Sequence, residues 1–298
     1  MQYLEGDCLQ LFDGSIWVVK GSYHPPGRVI AFPRLVDGRK VKRIGEALNI
    51  IQRYYSHFLT YVDFIGRYVP AVPKSFIKKH FRALSTGCPE KNDDISSLCN
   101  ELLEILSSKC GLKCGVTGSL LYGEYTAYSD IDLVCIDRAG AYECLRKLRK
   151  NEILKRFSHS DFITEFADVS EGLSFNDHLR LILSRVTQGV FKSRRYTLRI
   201  INSNREQAVL GPYSFSYYSE VIVRVTSSDY RTPSIYNVDI IKPYITAKKV
   251  FMVSFRVRYT EIPKGTILLV TNALFALRYD DVAVISLDSP STYVKILT

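Results

Sequence analysis

The sequence predicts an α+β fold, a small mixed-sheet core with helices, flanked by N-terminal and C-terminal small β-rich units. Three observations predict it. Apolar residues alternate with a period of two near both ends and recur at helical spacing through much of the middle. The turn dipeptides Asp13-Gly14 and Asp37-Gly38 punctuate the first segment, as tight hairpins require. In the centre, strand-like runs alternate with basic amphipathic helices, the order that builds β-α-β connections around a mixed sheet. The expected division is residues 1–45 as an N-terminal β unit, 46–92 as a helical connector, 93–210 as the core, and 211–298 as a C-terminal β-rich domain.

The first unit carries a strand through DGSIWVVKG and another at Val29–Phe32. Between them, HPPGR (His24 to Arg28) has two prolines that fix an extended corner. Arg28 and His24 are there either a phosphate or RNA contact or parts of a rigid loop. Arg39, Lys40, Lys42 and Arg43 follow as a basic edge. ALNIIQRYYSHFLTYVDFIGRYV then reads as helix until Pro70 and Pro73, and SFIKKHFRALS as a second, basic helix bearing Lys78, Lys79, His80 and Arg82. The segment 86–92 reads as a loop. Asp93-Asp94 opens a helix with Ile95, Leu98, Leu102, Ile105 and Leu106 on one stripe.

From Lys113 to Ile136 the chain reads strand, glycine turn, short helix, loop, strand: KCGVTGSLLYGEYTAYSDIDLVCI. Side chains two apart on a strand share a face, so Asp130 and Asp132 project together into the space that Gly118 and Ser119 border. Two carboxylates suit a hard ion such as Mg2+ (or Mn2+), which keeps waters and substrate phosphates as its other ligands. A glycine turn opening a helix lets backbone N–H groups approach a phosphate. Together the halves point to a site for a metal-bound nucleoside triphosphate.

The compound pattern, Gly118-Ser119 followed by Ser129-Asp130-Ile131-Asp132 with apolar VTG before and LVCI after, resembles the DNA polymerase β-like nucleotidyltransferase superfamily. The resemblance covers roughly residues 93–203. It implies a nucleotidyltransferase core, an NTP substrate, Asp130 and Asp132 as catalytic metal ligands, and Gly118, Ser119 and Ser129 against the nucleotide. The wider layout, including HPPGRVIAFPR, is similar to a group of predicted archaeal nucleotidyltransferases.

Downstream, AGAYECLRKLRKNEILKRF reads as a basic crossover helix. NDHLRLILSRVTQ reads as another, with Leu179, Ile182, Leu183 and Val186 buried. RYTLRIIN reads as the strand on which the superfamily usually presents a third carboxylate, and here Thr197 stands about where that acid is expected. Asp161, Glu165 and Asp239 are the alternatives. After residue 211, EVIVRVTSS, FMVSFRVRY, GTILLVTNALFAL, DVAVISL and TYVKIL read as short strands of a small barrel, with Arg224, Arg231, Arg256 and Arg258 as candidate nucleic-acid contacts.

Composition bounds the partners. Nearly half of the 298 residues are hydrophobic, which excludes a disordered chain. No run reaches the length of a membrane span and the start lacks a signal segment, so the reading is a cytoplasmic protein. Seven cysteines without paired spacing, Cys110 and Cys114 among them, read as free thiols. A net charge of +10 argues for a polyanionic partner, and many aromatics offer stacking surfaces for unpaired bases. RNA stands ahead of DNA. The functional reading is a metal-dependent nucleotidyltransferase acting on a hydroxyl acceptor. The alternative is a nucleic-acid-binding protein on a catalytically degenerate transferase fold.

Overall fold

In the computed structural model, which describes residues 2–90, 93–169 and 171–298, three sheets follow one another along the chain. The first takes β1 (Cys8–Leu11), β2 (Ile16–Val19), β3 (Arg28–Val36), β4 (Arg39–Lys40), β5 (Leu59–Val62), β6 (Arg67–Pro73) and β7 (Ile77–Phe81). Their order is β5-β6-β3-β2-β1-β7, with β4 beside β3. Asp37 and Gly38 both hold positive φ, 49° and 72°, the backbone that a two-residue hairpin turn demands. Beneath this sheet Trp17 is fully buried, edge-on to Tyr55 and Phe58 at 5.1 and 5.5 Å.

Residues 46–92 are not a helical connector. The only α-helix among their described residues is α1 (Ile44–Tyr54), and the rest supplies β5, β6 and β7 to the first sheet. The cause is a turn at Asp63–Gly66, with Gly66 at φ 72°. It folds an apolar run back on itself and so imitates helical spacing. Within SFIKKHFRALS the strand Ile77–Phe81 stands between two short 3-10 turns instead of a basic helix, and His80 reaches Asp7 Oδ2 at 2.8 Å. The loop expected over 86–92 runs into residues 91 and 92, which lie outside the described residues.

The central sheet has the order β10-β11-β12-β9-β8. Its elements are α2 (Asp94–Cys110), β8 (Cys114–Val116), α3 (Gly118–Tyr122), β9 (Ile131–Ile136), α4 (Ala141–Lys150), β10 (Leu154–Lys155), α5 (His159–Val169), α6 (Phe175–Ser184), β11 (Gln188–Phe191) and β12 (Arg194–Ile201). The Asp93 side chain caps α2 by accepting from Ser96 N at 2.9 Å, and Gly111 ends it at φ 59°, a left-handed cap suited to glycine. β9 runs parallel to β12 and antiparallel to β8. Its Ile131, Leu133 and Val134 are wholly buried, which stabilises the strand by about 1.5–3 kcal/mol each. In α6 the buried residues include Leu181 and Ile182, while Leu183, expected inside, is 40% exposed.

Six cysteines are paired, contrary to the expectation of free thiols: Cys88–Cys99, Cys110–Cys144 and Cys114–Cys135. Partners lie 11, 34 and 21 residues apart, so no local motif announces them and only the fold brings them together. Cys8 is the free, buried thiol.

The last unit follows α7 (Ser203–Glu206) and takes β13 (Tyr213–Val225), β14 (Ser234–Lys242), β15 (Lys249–Ser254), β16 (Ile267–Arg278), β17 (Val282–Ser286) and β18 (Tyr293–Ile296). The ladder β13-β14-β15-β17-β16 returns to β13, closing a five-stranded ring with β18 on β16. Arg231 binds Asp137 and Asp229 at 2.6 and 2.9 Å, tying this ring to the central sheet. Arg256 donates to Ser289 O at 3.1 Å, and Arg258 to Glu171 O. Of the four arginines expected to face nucleic acid, three are therefore engaged within the protein, and Arg224 remains on an exposed face. No described helix is long and apolar enough to cross a membrane.

Candidate active site

β8 leads into Thr117 and the turn at Gly118, while β9 begins one residue after Asp130. The Asp-Ile-Asp alternation sends Ile131 into the core and both carboxylates into a cavity of about 920 Å³. Gly118, Ser119 and Ser129 line the same cavity, so the structure brings all five sequence-predicted site residues together. Gly118 is held at φ 61°, and a Cβ there would lie 2.7 Å from Asp132 Oδ2. Only glycine leaves that carboxylate its place. What this residue gives the site is space beside Asp132. Ser129 Oγ accepts from Thr126 N at 2.9 Å and closes the turn that leads into Asp130.

Burial pushes the Asp130 carboxyl up to about 6, the nearby Asp132 charge adds to this, and Arg195 opposes it. Burial likewise raises Asp132, against Arg199, Arg34 and a hydrogen bond from Thr197. Arg195 Nε lies 3.0 Å from Asp130 Oδ1. Thr197 stands directly across the parallel ladder from Asp132, at the position where the third carboxylate was expected.

The acid that approaches the pair comes from a helix instead. Glu165, on α5, lines the cavity and lies 3.9 Å from Arg195 Nη1. It accepts from Gln188 Nε2 at 3.4 Å, and its charge is felt by Asp130. Asp161 caps its own helix by accepting from Ser158 N at 2.9 Å, and Asp239 is exposed on β14 opposite Arg224. Of the three alternatives, Glu165 alone lines the cavity.

Cations crowd the same space. Arg34 arrives from β3 and Lys20 from the loop after β2; Arg199 lies on β12. Lys20 and Arg199 share Glu5 at 3.2 and 3.4 Å, and burial lowers the Lys20 amine to about 8. Sequence reasoning missed these residues. Arg195, Thr197 and Arg199 recur every second residue on one strand, so period two could have found them. Arg34 and Lys20 carry no local signal.

His24 and Arg28, left open by the sequence, are structural. His24 bonds Tyr3 O and Ile30 N, each at 3.2 Å, and burial lowers it to about 4. Arg28 Nη1 donates to Ala71 O at 3.1 Å, binding β3 to β6.

The donor set fits a divalent ion bound through substrate. Two half-buried carboxylates, one raising the pKa of the other, are relieved by a nearby cation. Mg2+ commonly takes one or two protein carboxylates and fills its shell with water and phosphate. Among the described residues, no group of three or more His, Cys, Asp or Glu side chains converges as a metal cage. No curated protein matches the chain. Residues 99–196, from within α2 to Tyr196 of β12, match the family model of the nucleotidyltransferase domain. The chain therefore contains a nucleotidyltransferase domain, in keeping with the polymerase β-like type, and Asp130 and Asp132 lie within the matched residues.

Proposed function

We propose that this protein is a metal-dependent nucleotidyltransferase that moves a nucleoside monophosphate from an NTP to a hydroxyl of RNA. The observation that carries the reading is the convergence of Asp130 and Asp132 beside a glycine whose missing Cβ leaves Asp132 its place. Asp130 and Asp132 would hold Mg2+ or Mn2+. When bound, the ion neutralises the triphosphate and stabilises charge on the α-phosphate as pyrophosphate leaves.

The chain's own groups do the rest. Thr197 faces Asp132 across the ladder and Arg195 holds Asp130, which orders the pair before substrate arrives. Ser119 and Ser129 border the phosphates. Lys20, Arg34 and Arg199 give the cavity positive charge that favours a polyanion. Glu165 takes the proton of the attacking hydroxyl on its carboxylate. The new bond joins that oxygen to the α-phosphorus, and the bond to the bridging oxygen of pyrophosphate breaks. Net charge and a cation-lined cavity favour RNA over a cationic small molecule as acceptor.

A second reading has its own support. Arg195 occupies Asp130 at 3.0 Å and Thr197 replaces the strand acid, as in a nucleic-acid binder built on a degenerate transferase fold. The experiment is label transfer from each NTP to total RNA, with Mg2+ or Mn2+, for wild type and the Asp130→Asn/Asp132→Asn double variant. Transfer lost in the variant supports the enzyme. RNA retained equally by both, with no transfer and no response to metal, supports the binder.

A further inference from the structure

Five exposed tyrosines stand on the lining of this one cavity. Tyr61 and Tyr68, on β5 and β6, are 49% and 71% exposed; Tyr217 and Tyr218, on β13, are 41% and 60% exposed. Tyr128, two residues before Asp130, is 86% exposed. Tyrosine rings ordinarily bury much of their surface, and a set left bare around one opening marks a surface built to be covered.

The two pairs come from different sheets and are joined by a specific seam. Tyr61 and Tyr68 are cross-strand partners, edge-on at 5.4 Å. The turn between them docks on the start of β13. Gly66 lies so close to the Tyr213 ring that a Cβ would come within 2.8 Å, Ser216 Oγ donates to Gly66 O at 3.3 Å, and Gly211 N donates to Phe64 O at 3.1 Å. Along Tyr213–Ser219, β13 pairs with β16 alone, because its ladder to β14 begins at Ile222. Tyr217 packs beside its cross-strand partner Phe275, ring centroids 5.3 Å apart.

We propose that this rim is a track for single-stranded RNA. Unpaired bases stack on Tyr61, Tyr68, Tyr217 and Tyr218, and the 3′ end passes Tyr128 to set its terminal hydroxyl at Asp130. The proposal rests on the reading that the acceptor is an RNA hydroxyl. Charge complements the aromatics: Lys40, Arg43 and Arg67 line the same cavity, and Arg67 Nε is buried with no hydrogen-bond partner among the described residues. Alternating rings and cations are what a flexible polyanion with open base faces needs. A duplex hides those faces inside its stack, so the rings select for unpaired strand.

The test is fluorescence anisotropy with a labelled single-stranded RNA and with the same RNA annealed as a blunt duplex. Proteins are wild type, Tyr61→Ala/Tyr68→Ala, Tyr217→Ala/Tyr218→Ala, the matching Phe variants, and Tyr244→Ala as an exposed tyrosine outside the cavity lining. Each Ala pair is expected to weaken single-strand binding by roughly 10- to 100-fold. The slope of affinity against salt should stay, because phosphate contacts remain. The Phe variants should hold near wild type, Tyr244→Ala should change nothing, and thermal protection by Mg2+-NTP should persist throughout. Ala pairs that bind single strands like wild type, or a duplex that binds as tightly and loses as much, would overturn the track alone. A wild type protected by NTP but binding neither form of RNA would remove the RNA-acceptor reading, and the track with it.

Discussion

Replacing Gly118 with alanine separates space at the site from the general stability of its turn. Two costs arise. Gly118 sits at φ 61°, and a side chain in the left-handed region costs about 1–2 kcal/mol. The added Cβ would also stand 2.7 Å from Asp132 Oδ2, well short of the roughly 3.5 Å at which such atoms rest comfortably. The half-buried Asp132 carboxylate must yield. Misplacing a reacting group by an ångström can cost on the order of 100-fold in rate. Gly118→Ala should therefore lose transfer by about that factor, with a melting temperature lowered by only a few degrees.

Gly123 supplies the control. It ends the same short helix at φ 88°, yet a Cβ there meets nothing within 4 Å. Gly123→Ala should carry the backbone cost of about 1–2 kcal/mol and keep transfer within a few-fold of wild type. Both variants are assayed by label transfer and by melting with and without Mg2+-NTP. Equal loss of transfer in the two, or full transfer in Gly118→Ala, would refute the argument that the missing Cβ makes room for Asp132.

Further outcomes follow from other groups. Glu165→Gln should cut transfer by roughly 100-fold or more, within the range of general base catalysis, whereas Asp161→Asn and Asp239→Asn should leave it nearly intact. Equal losses in single-turnover rates would remove Glu165 from its role. Burial raises Glu206 from 4.5 to about 7. The folded state therefore binds more protons between those values, and this group's contribution to stability is complete below 4.5 and lost as pH rises through 7. Glu206→Gln should gain on wild type across that window, by up to ~3 kcal/mol at pH 8, in urea titrations run at several pH values; a gap that widens on acidification contradicts the sign. Reductant should lower the urea midpoint, since the Cys110–Cys144 bridge closes 34 residues and such loops contribute roughly 3–4 kcal/mol. An unchanged midpoint, with thiols shown to be free, would mean that the bridges stabilise nothing.

What the sequence disclosed about this site follows the range over which its rules act. Period two on a strand needs only neighbouring residues, so Asp130 and Asp132 are legible together, and Arg195, Thr197 and Arg199 obey the same rule on the next strand. Their meaning becomes visible only through the parallel register that sets Thr197 against Asp132. Glu165, Arg34 and Lys20 reach the cavity from a helix and from the first sheet, and no local pattern encodes that meeting. Helical spacing failed over LTYVDFIGRYV because a hairpin turn at its centre folds two alternating strands into a run that mimics it. That misreading has a functional consequence. As a helix, the segment would set Tyr61 and Tyr68 nearly two turns apart, roughly 10 Å along one face; as a hairpin, it makes them direct cross-strand partners on the cavity lining. The same stretch read with the wrong period conceals the surface on which an acceptor strand would lie.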